Sequence, residues 1–175
     1  MKHMKVLRFA AGQFYGGARL SHESHEISVT HRVADRSADE VLTHTHSDAH
    51  FVLITGGDYI SIAQGRPSRG FPVLVYNPPG TTHRDHFSYG RGSFYAISLA
   101  PRKAKAVGCG IALPDGPNYL GEIAQFALAM RVARYCAVQP IALTLDALVH
   151  ELLGSMDRLA PRIDRGPPNW LEKAL

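Results

Sequence analysis

The amino-acid sequence predicts a mainly β protein, an antiparallel sandwich or barrel, with an α-helical pair towards its C-terminal end. Three observations predict this class: short apolar runs that alternate with polar residues before Pro101, turn residues between those runs, and helical spacing of apolar residues after residue 118. With 175 residues, of which 45% are hydrophobic and 19% charged, the chain is long enough to bury one core. We therefore expect a loop-rich globular unit rather than a disordered chain.

The β-strands are predicted where apolar runs end at turn residues. The alternation from Ile27 to Val33 indicates one strand, whose apolar face includes His31. Further strands are predicted at Phe51–Ile54, Tyr59–Ile62, Val73–Tyr76 and Phe94–Leu99. Gly56-Gly57-Asp58 predicts a hairpin turn between the first two of these. Asn77-Pro78-Pro79-Gly80 ends the third, because proline cannot donate a hydrogen bond to a β-ladder.

Two helices are predicted after residue 118. Apolar residues from Ile141 to Met156 follow steps of three and four, as on one face of a helix. An earlier helix, from about Leu120 to Tyr135, carries the apolar stripe Ile123, Ala124, Ala127 and Met130. These stripes favour packing against the β part of the chain or against the same helices of a second copy, and the second option predicts a homodimer.

Charge and composition bear on location and partners. The net charge is +4, but the Lys and Arg residues are scattered and do not form a nucleic-acid-binding run. No apolar stretch approaches the roughly 20 residues of a membrane helix, and Arg8 interrupts the apolar run behind the basic N-terminus. We therefore expect no membrane span, no secretory signal and a cytoplasmic location. Cys109 and Cys136 lie among small apolar residues and are expected to be buried thiols.

Histidines carry the chemical signal of the sequence. His44 and His46 are two residues apart, so that in a strand both imidazoles project from the same face. His50 follows a three-residue turn, and His83 begins a later strand. Neutral imidazole is the commonest protein ligand of transition metals, so these four residues predict a site for a divalent ion: zinc first, with nickel, iron or copper as alternatives. In the alternative interpretation, the four rings line a pocket and hydrogen-bond an organic effector without a metal.

Three neighbouring residues have predicted supporting roles. His31 lies on an apolar strand face and His86 follows His83, and either side chain is expected to touch a small-molecule effector or to be an ordinary interior or rim histidine. Asp85 shares the strand face of His83, which suits a carboxylate that orients a ligand imidazole. It could equally be a solvated charge at the end of a strand.

These histidines resemble the two-segment pattern of the cupin family. His44 and His46 match its His-x-His pair, Gly57 its later glycine, and Pro78, Gly80 and His83 its second segment. His50 stands where the family usually has glutamate, which would make the site all-nitrogen and leave the full charge of the metal available to an anionic ligand. The resemblance implies a cupin-like, jelly-roll antiparallel β-barrel followed by the α-helical pair.

The whole chain also resembles the N-terminal half of AraC-type transcriptional regulators. That resemblance implies a sensor barrel over residues 1–107, a helical dimerisation and packing region over 108–161, and a linker with the start of a truncated DNA-binding domain over 162–175. It implies a small-molecule effector, a homodimer, and DNA contact only through an absent C-terminal helix-turn-helix domain. On this interpretation the chain is not an enzyme.

The alternative is a stand-alone cupin enzyme, such as a metal-dependent dioxygenase or isomerase. Its metal would need open coordination positions and a nearby acid or base. Asp85, Glu40 and Tyr76 are the candidates for that role, by proximity in the sequence alone.

Overall fold

The computed structural model describes residues 6–24, 26–65, 73–100, 102, 113–138 and 141–156. These residues form eleven β-strands and, after residue 113, two helices. The strands are β1 Leu7–Phe9, β2 Gly17–Glu23, β3 Ile27–Val33, β4 His44–His46, β5 Ala49–Gly56, β6 Tyr59–Ile60, β7 Val73–Asn77, β8 Thr82–His83, β9 His86–Phe87, β10 Ser93–Leu99 and β11 Asn118–Leu120. The helices are α1 Ile123–Cys136 and α2 Ala142–Met156.

The strands pair into three sheets. The largest has six strands in the order β11-β7-β5-β10-β3-β2, and every pair in it is antiparallel. A three-stranded sheet has the order β1-β4-β8, with β1 parallel to β4, and a two-stranded sheet joins β6 to β9. The predicted class, mainly antiparallel β with a C-terminal helical pair, is confirmed. The described strands form separate sheets and do not close into one barrel.

One face of the six-stranded sheet is covered by the two helices. Phe51 and Leu53 of β5 and Ile97 of β10 point to this face and share one buried core with Leu152 and Leu153 of α2. Each of these five side chains is at most 1% exposed. Burying a side chain of this size contributes about 1.5–3 kcal/mol, so this core holds helices and sheet together as one unit.

The opposite face of the same sheet points towards the two smaller sheets. Val52 and Ile54 of β5 and Phe94 and Ala96 of β10 pack there against Phe87 of β9. Because successive strand residues point to opposite faces, β5 and β10 supply alternate side chains to both cores. The smaller core lies beside the histidines.

Two sequence predictions of pairing and boundaries were wrong. Gly57 does form a turn, with φ +90° and no room for a Cβ beside the Arg91 carbonyl. However, β6 pairs with β9 instead of forming a hairpin with β5, because both edges of β5 are taken by β7 and β10. The first helix begins at Ile123 rather than at about Leu120, since Asn118–Leu120 is a strand paired with β7.

The helices bury one predicted stripe and expose the other. Six residues of the predicted α2 stripe are buried within this chain: Leu145, Leu148, Val149, Leu152, Leu153 and Met156. Ile141, where the predicted stripe begins, is 67% exposed. In α1, by contrast, the predicted stripe faces outwards, with Ile123 86% and Met130 37% exposed. The larger side chains of Leu128 and Val132 define the buried face of α1 instead.

Several further expectations can be compared with the described part of the chain. Cys136 is a buried free thiol, as predicted, and burial raises its pKa to about 11. Pro101, Cys109, Pro140 and residues 157–175, with the predicted linker and start of a DNA-binding domain, lie outside the described residues. None of the described helices combines the length and the apolar character that crossing a membrane requires.

Candidate metal centre

The four predicted histidines meet between the three-stranded sheet and the six-stranded sheet. His44 and His46 both point inwards from β4, because they are two residues apart on one strand. β8 pairs with β4 so that His83 lies opposite His44, and their ring centroids are 4.5 Å apart. His50 comes from the facing six-stranded sheet, with its ring 4.4 Å from that of His46 and 6.0 Å from that of His83. Two distant stretches of chain thus bring four imidazoles together.

The buried ring nitrogens lack partners in the protein. His46 and His50 are fully buried, and none of their four ring nitrogens has a hydrogen-bonding partner among the described residues. A buried polar atom without a partner costs about 1–3 kcal/mol. A metal ion that accepts the nitrogen lone pairs would remove this cost, so the donors present fit a transition-metal centre.

Two of the imidazoles are oriented by acceptors behind them. His44 Nδ1 lies 2.8 Å from the Leu42 carbonyl oxygen, and His83 Nδ1 lies 3.0 Å from Asp85 Oδ2. Asp85 is itself held by the Tyr59 hydroxyl at 3.0 Å and the Ser61 hydroxyl at 2.7 Å. An acceptor at Nδ1 fixes the proton there and leaves Nε2 free to bind a metal. The predicted orienting role of Asp85 therefore has a geometric basis.

Asp48 lies at the site, although the sequence analysis predicted it only as part of a turn. It is fully buried, its Oδ2 accepts a hydrogen bond from the Gly12 N–H at 3.1 Å, and its Oδ1 lies 3.7 Å from His46 Nδ1. A carboxylate flanked by His46 and His50 is a typical metal-ligand arrangement. The only sequence signal for Asp48 is its place between two histidines, each two residues away.

The potential ligands fall into two overlapping groups. His44, His46 and His83 form the front triad, and His46, Asp48 and His50 form the rear triad. Within each triad the ligand atoms lie within 4.8 Å of one another. Ligands at the usual metal distances of about 2.0–2.2 Å are separated by somewhat less than this, so either triad needs only small adjustments to hold an ion. The four-histidine set of the sequence analysis is thus divided around the shared His46.

Burial keeps His44, His46 and His50 neutral. It lowers the pKa of His44, and burial together with neighbouring imidazoles lowers the pKa of His46 and brings that of His50 to about 3. Burial raises the pKa of Asp48. At Asp85 burial also acts to raise the pKa, but His83 and the Ser61 and Tyr59 hydroxyls together hold it below the usual value. Neutral imidazole is the form that binds metals, so the site is ready for an ion at neutral pH.

A cavity of about 60 Å³, here called the front cavity, opens onto the front triad. Its walls are mainly apolar and aromatic and include Phe14, Val52, Phe87 and Phe94. The polar groups on the walls include the side chains of Asp35, Arg36, Asp85 and His86. His50 and Asp48 do not line it. About 10–15 Å³ of such volume holds one water, so the front cavity accepts several waters or one small organic group beside the histidines.

The two predicted effector contacts lie in different places. His86 lines the front cavity, with its Nδ1 3.1 Å from the Arg84 carbonyl oxygen. His31 instead stacks on Tyr95, with ring centroids 4.5 Å apart, on the face of the six-stranded sheet that packs against the helices. Strand alternation explains this position, because His31 shares its face with Val29 and not with Thr30. The structure therefore brings His86, and not His31, to the site.

Each of the three candidate acids or bases of the enzyme interpretation is either hydrogen-bonded to other protein groups or buried in the core. Glu40 is exposed and accepts hydrogen bonds from the N–H and hydroxyl of Ser37, both at 2.9 Å. Tyr76 is buried in the core beneath the helices, where burial raises its pKa to about 12. Asp85 lines the front cavity but is bound by His83, Tyr59 and Ser61.

Comparison with protein-family models, with curated proteins and with solved structures finds no match for this chain.

Proposed function

We propose that this chain is the ligand-sensing domain of an AraC-type transcriptional regulator, a cupin-like jelly roll that holds a divalent transition metal at the base of a small-molecule cavity. The observation that carries this proposal is the front triad: Nδ1 of His44 and of His83 each lies next to an acceptor, and the three rings border a cavity with mainly apolar walls. A site of this form binds a small molecule by a polar head and an apolar body.

The residues present favour zinc, with nickel, iron or copper as alternatives. Three or four neutral imidazoles suit any of these borderline ions, and a bound ion would supply a dipositive Lewis-acid centre at the base of the front cavity. Apart from Asp48, the ligands are neutral and leave most of that charge for an anionic effector. Arg36 on the cavity wall, with its guanidinium 5.0 Å from the centre of the Tyr15 ring, adds a second positive group, beside the Asp35 carboxylate at 3.9 Å.

A second copy of the chain is the proposed partner of the helical pair. The stripe of α2 is used inside the chain, so the surface available for a homodimer is the outward face, with Ile123, Met130 and Leu143 exposed. The regulator would contact DNA through a C-terminal helix-turn-helix domain that is not among the described residues. We place this regulator in the cytoplasm. This arrangement would let a ligand in the front cavity act on DNA binding through the helices.

A second candidate function is catalysis by a metal-dependent cupin enzyme. It is favoured by one feature, the open side of the front triad, because catalytic metal sites keep a position for substrate. The positions of Glu40, Tyr76 and Asp85 favour the sensor instead, because none of them offers an unengaged carboxylate or phenol to a ligand in the front cavity.

A binding experiment that also follows turnover separates the two functions. Zinc-loaded and iron-loaded protein is incubated with acetate and benzoate in air, with thermal stability and the chemical identity of each acid measured together. The sensor proposal expects a metal-dependent thermal shift with the acid recovered unchanged, and no shift in a His83→Ala variant. Conversion of either acid, or oxygen consumption that needs His83, would establish an enzyme instead.

A further inference from the structure

A row of polar side chains crosses the six-stranded sheet on the face that holds the metal centre. In register across four strands lie Asn77 of β7, His50 of β5, Ser98 of β10 and Ser28 of β3. Asn77 and His50 are fully buried and Ser98 is 2% exposed. The side chains next to this row, nearer the front cavity, are Val75, Val52, Ala96 and Thr30. This polar row is therefore an interruption in a mostly apolar interior.

The polar row has more donors and acceptors than the protein satisfies. Both amide atoms of Asn77 and the Ser28 hydroxyl are buried without a hydrogen-bonding partner among the described residues. Native proteins leave few such groups, and those that remain usually contact ordered water or ions. The polar row is thus suited to contact a hydrated species inside the protein.

A second opening lies at one end of the polar row. This rear pocket, of about 160 Å³, is lined by Ser28 and Ser98 and by the acidic side chains of Glu23 and Glu26. Ser98 is four residues from Phe94 on β10 and on the same face, so the rear pocket and the front cavity open about 13 Å apart along the strand.

Asp48 lies between the rear pocket and the histidines. Gly12, which donates its N–H to Asp48, lies over Ser28, since a Cβ on Gly12 would come within 3.0 Å of the Ser28 hydroxyl. Beyond Asp48 is His46, the residue that the two triads share. The polar groups between the rear pocket and His46, namely Ser28, Ser98 and Asp48, are here called the rear path.

We propose that metal ions enter and leave the histidine centre through the rear pocket, with Asp48 and the rear triad as intermediate ligands, while the front cavity serves the organic ligand. Carboxylates at a pocket mouth attract a hydrated dication, and oxygen ligands replace its waters stepwise. The front cavity is lined by two carboxylates as well, but Asp35 lies beside Arg36 and Asp85 is engaged by His83, Tyr59 and Ser61. This inference rests on the proposed function, since it needs a metal centre to which the path leads.

The test measures the rates of metal exchange in variants that narrow one opening at a time. Purified protein is mixed rapidly with Co²⁺ and uptake is followed by visible absorption; zinc-loaded protein is mixed with a chromophoric chelator for release. Ser28→Val and Ser98→Val fill the rear path with apolar groups. Ala34→Val is the matched control, because Ala34 lines the front cavity.

A route changes a barrier and not an equilibrium, so uptake and release should slow by the same factor in both rear variants, about tenfold, with the dissociation constant unchanged. Ala34→Val should exchange metal at the wild-type rate. Wild-type rates in Ser28→Val, or slow exchange in Ala34→Val alone, would overturn the inference and leave the metal centre standing. Failure of the wild-type protein to bind either ion would refute the metal centre and the route together. If Ser98→Val also weakens the affinity for the metal, the exchange rates of Ser28→Val alone decide whether the inference holds.

Discussion

The orienting role of Asp85 makes a quantitative prediction about metal affinity. In the protein, Asp85 Oδ2 lies 3.0 Å from His83 Nδ1 and accepts hydrogen bonds from Tyr59 and Ser61. The amide of Asp85→Asn has one acceptor oxygen in place of two, and these three donors must then compete for it. Asp85, Tyr59 and Ser61 lie behind the metal ligand His83, so the ligand set itself is kept. Loss of an orienting partner of this kind weakens metal binding by about 10–100-fold, or roughly 1.4–2.7 kcal/mol.

Competition with a chromophoric chelator measures this change directly. Asp39→Asn is the control, since Asp39 is exposed and its substitution removes the same charge from the surface. The thermal stability of the metal-free proteins shows whether Asp85→Asn only loosens the fold, because a structural loss would lower it without a metal present. If Asp85→Asn and Asp39→Asn bind zinc equally well, Asp85 does not orient His83 and the account of the front triad is incorrect.

Three further predictions follow from the site and the helices. Elemental analysis should find about one transition metal per chain in wild type and in His31→Ala but little in His44→Ala, because His44 faces the metal centre and His31 does not. Equal metal content in the two variants would exclude a metal centre at His44. The pKa of His50 is lowered, so below about pH 6.5 the unfolded chain takes up a proton that the folded chain does not. Metal-free stability should therefore fall from about pH 6.5 to about pH 3, by about 1.4 kcal/mol per pH unit for this group, and a flat profile by urea unfolding would contradict this. Leu152→Ala should cost about 2–5 kcal/mol of folding free energy because Leu152 is fully buried. Leu143→Ala should leave stability nearly unchanged, since Leu143 is exposed, but should weaken self-association in sedimentation. Unaltered self-association would show that the outward face of the helices is not a dimer surface.

Strands with a regular alternation and clear turns were predictable from the sequence. β3, β7 and β10 lie within a residue of their predicted bounds, since burial on a sheet face requires the alternation that the sequence shows. β2 was not predicted, because it is an edge strand with mainly exposed residues and so needs little apolar patterning. The buried face of α1 was predicted wrongly, because alanines occur on both sides of that helix and the apolar pattern therefore does not determine which side is buried.

The site was predictable where its residues are linked by local geometry. His44 and His46 share a face by strand periodicity, and His83 was predicted at the start of the strand that follows the Pro78-Pro79-Gly80 turn. Asp48 was not predictable, since its burial depends on Gly12, which is distant in the chain and near in space. His31 shows a second limit: alternation assigned it to a buried face correctly, but a sheet covered on both sides has two such faces, and the pattern does not say which one holds the site.

Strand β5 gives the protein a short mechanical link between its two halves. Along one stretch of backbone, His50 faces the metal centre and the next residue, Phe51, faces the helices. If ligand binding shifts this backbone, the same shift moves the side chains that pack against the helices, about 10 Å away, because adjacent residues of one strand face the two layers. Such a shift becomes a signal only if the ligand favours one of two backbone positions in free energy. The central strand, with neighbours bonded on both edges, would then be the pivot of the response rather than a passive wall.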